Sequence, residues 1–66
     1  MSIEIQGDNI NLRFVTSWEA EEDKKRISIF VIGEGVKLFV YDSLMEFKHD
    51  LDNLIKKWSI YNEDFS

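Results

Sequence analysis

The chain has 66 residues, of which 13 are acidic and 8 basic, giving a net charge of −5, and it contains no cysteine. That length allows one domain, and a domain this small buries only about 60% of its unfolded surface. Without Cys there are no disulfides or thiolate metal sites, a lone His49 rules out a histidine zinc site, and the acidic balance argues against direct contact with a nucleic-acid backbone.

Met1, Ile3 and Ile5 alternate with Ser2, Glu4 and Gln6, which predicts a first strand over about 2–6, closed by a turn at Gly7-Asp8-Asn9. Ile10, Leu12 and Phe14 continue a period of two through Thr16 to Trp18, with Val15 on the opposite face. This predicts a second strand over 10–18, hairpinned to the first.

The block from Glu19 to Arg26 carries no large apolar residue. It is expected to be an exposed, mobile segment, a short helical turn or a loose hairpin loop, either plain solvated surface or, through the carboxylates Glu19, Glu21, Glu22 and Asp23, an acidic recognition element. These carboxylates lack the glycine turn and ordered spacing of a calcium loop, so no metal site is expected among them.

Residues 26–33 and 36–41 are rich in β-branched and aromatic side chains and predict the two strongest strands. Gly33-Glu34-Gly35 between them reads as a tight hairpin turn. A two-residue loop, at Gly33-Glu34 or at Glu34-Gly35, puts Ile27, Ile29 and Val31 on one face with Val36, Leu38 and Val40. The other face then carries Phe30, Ile32, Phe39 and Tyr41. A three-residue loop breaks this assignment, because a one-residue slip turns every side chain of a strand over.

Ser43 with Glu46 matches a capping box. Leu44, Phe47, Leu51, Leu54, Trp58 and Tyr61 recur at spacings of three and four, with Ile55 widening the stripe. Together they predict an amphipathic helix over about 43–60, followed by a fraying tail at 61–66. The fold expected is α+β: a four-stranded antiparallel β-meander and one C-terminal amphipathic helix packed on the aliphatic sheet face, in the order ββββα.

No sequence motif carries catalysis. His49 falls off the apolar stripe, with no motif that would make it a base, and the Gly33-Glu34-Gly35 turn lacks phosphate-loop spacing. No cofactor is expected. No apolar run is long enough to span a membrane, and the start of the chain lacks the features of a leader peptide, so the expected location is cytoplasmic. No family motif covers the chain.

The surplus of apolar strand surface points instead to protein contacts. The expected function is a small acidic, non-enzymatic binding module that sterically blocks a larger protein with a basic surface, as phage counter-defence inhibitors, host-enzyme inhibitors and toxin-immunity proteins do. Glu19, Glu21, Glu22 and Asp23 would steer, and Phe30, Ile32, Phe39 and Tyr41 would anchor. The alternative is a homodimer joined through the aromatic face.

Overall fold

The computed structural model describes Met1–Phe65, without the side chains of residues 64 and 65. It has five strands in two antiparallel sheets and one C-terminal helix, so the α+β class holds while the single four-stranded meander does not.

The first sheet is the hairpin of β1 (Ser2–Ile5) and β2 (Asp8–Asn11), with Ile3 opposite Ile10 and Ile5 opposite Asp8. Its turn is the two-residue loop Gln6-Gly7, with φ of +51° and +82°. Positive φ at both positions matches the right-handed strand twist. The turn therefore falls one residue earlier than Gly7-Asp8-Asn9, and Asp8 and Asn9 join β2.

The expected strand over 10–18 is broken in two. The Asn11 side-chain oxygen accepts from the Arg13 amide at 3.0 Å and opens a 3-10 turn over Leu12–Phe14. Asn favours such local bonds over a continuous ladder. Leu12 stays fully buried while Phe14 turns outward.

The second sheet has the order β3 (Val15–Glu21), β4 (Arg26–Val31), β5 (Gly35–Val40). Val15 pairs with Val31 but Ser17 pairs with Phe30, which makes Thr16 the extra residue of a bulge. Beyond the bulge Trp18 and Ala20 share a face with Ile29 and Ile27. The charged block is not one loose loop: Glu19 and Glu21 lie in β3, Arg26 opens β4, and a four-residue turn, closed by the Lys25 amide on the Glu22 carbonyl at 3.1 Å, joins them.

Strand β5 presents the opposite face to the core from the one expected of a two-residue loop. Val31 pairs with Gly35, so the β4–β5 loop has three residues, Ile32-Gly33-Glu34. The Glu34 amide donates to the Val31 carbonyl at 3.1 Å, and Gly33 has a φ of +83°, the geometry of a type II turn. Odd-numbered residues of β4 thus share a face with odd-numbered residues of β5. Phe39 and Tyr41 turn into the core at 6% and 5% exposure, while Val36, Leu38 and Val40 turn outward at 51%, 59% and 63%.

Helix α1 (Leu44–Phe65) is longer than the predicted 43–60, taking in most of the expected tail; Ser66 lies outside the described residues. Ser43 caps it, its hydroxyl accepting from the Met45 and Glu46 amides at 3.1 and 3.3 Å. Phe47 and Leu54 are buried, and Leu51, Trp58 and Tyr61 pack at the margin. Leu44 and Ile55, expected in the stripe, lie at its edges and are exposed. The helix, the first hairpin and the inner face of the second sheet enclose one core, which includes Ile3, Ile5, Ile10, Leu12, Ile27 and Ile29. Each such side chain contributes roughly 1.5–3 kcal/mol by leaving water.

Candidate protein-interaction surface

The register that turns Phe39 inward builds the outer face of the second sheet. Across it run three rows, set by the pairing. The β3 row is Ser17, Glu19 and Glu21, the β4 row is Arg26, Ser28 and Phe30, and the β5 row is Val36, Leu38 and Val40. One margin is thus polar and acidic and the other aliphatic. Phe30 is half-buried between Ser17 and Val36, and Ile32 adds an exposed side chain at the turn.

Of the eight residues expected to bind a partner, six lie on or beside this face. Glu19 and Glu21 are on β3, Glu22 and Asp23 in the adjoining turn, Phe30 on β4 and Ile32 just beyond it. Phe39 and Tyr41 are not available to a partner. The three-residue loop buries them, and Tyr41 packs edge-on against Phe47 with centroids 5.9 Å apart. Its hydroxyl donates to Asp50 at 2.7 Å. Burial, and then that bond, push the phenol above the ordinary tyrosine range.

The residues missed are Val36, Leu38 and Val40. Strand β5 is apolar on both faces, so its composition could not orient it. The usable signal was the spacing of the two glycines: Gly33 and Gly35 take φ of +83° and +84° with Glu34 between them, whereas a two-residue turn of the Gln6-Gly7 kind sets its positive-φ residues side by side.

The acidic block is largely neutralised from within. Glu21 pairs with Arg26 and, at 3.4 Å, with Lys24. The Arg26 hydrogen bond holds the Glu21 carboxyl below the usual range. Glu22 meets Lys48 of α1 at 3.2 Å. Among the described residues Glu19 and Asp23 make no ion pair within 4 Å, and so they carry what steering charge the block retains.

Strand β5 is also a sheet edge. The Tyr41 amide donates to the Lys25 carbonyl at 2.8 Å, which fixes the phase of the β4–β5 ladder. The backbone groups of Gly35, Lys37 and Phe39 point to β4, and those of Val36, Leu38 and Val40 point away. Among the described residues the only partner on that outward row is Gln6, whose Nε2 donates to the Val40 carbonyl at 2.9 Å. On the inner side Lys37 reaches Asp8 at 3.0 Å, and this bond raises its pKa.

An open groove of about 470 Å3 lies where α1 leaves the sheet, lined by Gln6, Tyr41, Met45, Glu46, His49 and Asp50. Its most buried polar pair, Tyr41 and Asp50, is already mutually satisfied. Among the described residues no group of three or more His, Asp or Glu could hold a metal ion, and no helix is long and apolar enough to cross a membrane. Compared with protein-family models, curated proteins and solved structures, the chain matches none of them.

Proposed function

We propose that the chain is a small acidic protein-binding module without catalytic activity. It acts in the cytoplasm as a steric inhibitor, laying the outer face of its second sheet against a larger protein. The observation that carries this reading is the aliphatic row Val36, Leu38 and Val40, each more than half exposed on an ordered strand. Soluble monomers seldom leave a contiguous apolar row uncovered, and such rows mark contact surfaces. Phe30 and Ile32 extend it at one end.

Glu19 and Asp23 flank this row on the side of β3 and favour a partner whose apolar groove is rimmed by basic residues. Complementary charge of this kind speeds association and weakens as salt rises. A groove that normally takes nucleic acid fits this description, and occupation of it would block the partner's own ligand.

The test is capture of proteins from the source cell on immobilised wild-type chain and on Leu38→Asp and Glu19→Lys variants. Both positions are exposed, so the variants are expected to fold. A protein held by the wild type, lost on Leu38→Asp and weakened on Glu19→Lys supports the reading. An identical set of proteins on all three baits would remove the outer face from consideration.

A further inference from the structure

The two edges of the second sheet are built differently. The β3 edge carries the Thr16 bulge and is lined by Glu19 and Glu21, devices that discourage strand addition. The β5 edge has no bulge, no proline and no charged side chain on its outer face. Its outward backbone groups at Val36 and Leu38 have no partner among the described residues, and Gln6 engages only the carbonyl of Val40. Its one charged residue, Lys37, turns inward and is tied to Asp8 at 3.0 Å, and the unpaired apolar edge that remains is a template for another strand.

We infer that β5 pairs antiparallel with β5 of a second copy of the chain, in a register centred on Leu38. The choice of register follows from where the backbone groups point. With Leu38 on the twofold axis, Val36 meets the partner's Val40, and all three outward residues pair through their amides and carbonyls. The Val40 carbonyl has a second lone pair, so the Gln6 bond does not forbid this. Lys37 then lies beside the partner's Phe39. Centring the axis on Lys37 would set two ammonium groups opposite each other and leave Val40 unpaired. The second copy is favoured over an unrelated strand because this register is self-complementary, as a twofold contact requires.

The pairing deepens the proposed function without depending on it. It joins two three-stranded sheets into one of six strands, and the two aliphatic rows become a single central band with acidic margins on both sides. Each copy carries a charge of −5, and Glu34 approaches the partner's Asp42 at either end of the ladder. Salt therefore strengthens this contact by screening repulsion, opposite to its expected effect on a basic partner.

The test is sedimentation mass together with amide hydrogen exchange on the wild-type chain, across concentration and salt. The mass is expected to rise from 7.8 kDa toward twice that value, more readily at high salt, while the Val36, Leu38 and Val40 amides gain protection with concentration. Leu38→Pro is expected to stay monomeric and folded, since the amide it removes faces away from β4. A mass fixed at 7.8 kDa under all conditions, or a dimer in which those three amides stay unprotected, would overturn the pairing. Neither result touches partner capture by the outer face, so the two proposals fail separately.

Discussion

Leu38 and Phe39 are adjacent in the chain and lie on opposite faces of β5, and the sequence around them does not distinguish their roles. Truncation does. Phe39→Ala opens a cavity among core side chains and is expected to cost about 3–5 kcal/mol in urea denaturation. Leu38→Ala, on the exposed face, is expected to stay within about 0.5 kcal/mol of the wild type. Tyr41 gives a second prediction at this scale. Its folded pKa is raised above the unfolded value of about 10, so the folded state holds the phenol proton more tightly. The stability from this group is complete below the unfolded pKa and is lost as pH rises through the folded one. Denaturation midpoints measured upward from pH 9 should fall for the wild type and fall less steeply for Tyr41→Phe.

Elements whose signals are local were legible in the sequence, and those that depend on a turn were not. The helix start was readable because Ser43 offers a hydroxyl to amides that lack carbonyl partners. Ser43→Ala should therefore cost about 1 kcal/mol, read as a drop in thermal midpoint. The strands from Arg26 to Val40 were readable from their β-branched and aromatic residues. Their relative facing was not, because a loop of two or three residues at Gly33 leaves the composition unchanged and turns β5 over. The break at Leu12–Phe14 was missed because alternating Ile10, Leu12 and Phe14 satisfies a strand pattern as well as it satisfies a strand and turn. At Gly33, with a φ of +83°, replacement by Ala is expected to destabilise the hairpin by about 1–2 kcal/mol, since a Cβ opposes left-handed backbone.

At the scale of the whole molecule, one helix and one small hairpin cover a single face of a three-stranded sheet, and the other face stays in water. The surplus of apolar surface was visible in the sequence; its location was not. It lies on the aliphatic row, while the aromatic pair Phe39 and Tyr41 fills the core. The acidic character of residues 19–23 was visible too, as were the neighbouring Lys24 and Arg26 that pair with Glu21, but not the pairing of Glu22 with Lys48, which comes from a distant part of the chain. Reversing charge at Glu21 would therefore break structural pairs, whereas Glu19 and Asp23, which make no ion pair within 4 Å among the described residues, are the positions at which to read steering.

Both surface proposals rest on the register of β5, and the most direct measurement of it is attenuation of side-chain NMR signals by a soluble paramagnetic probe, in dilute solution. The methyl groups of Val36, Leu38 and Val40 should be strongly attenuated, while those of Ile27 and Ile29 and the rings of Phe39 and Tyr41 are spared. Attenuation of Phe39 and Tyr41 with protection of Leu38 would contradict the three-residue turn and, with it, the outer aliphatic face.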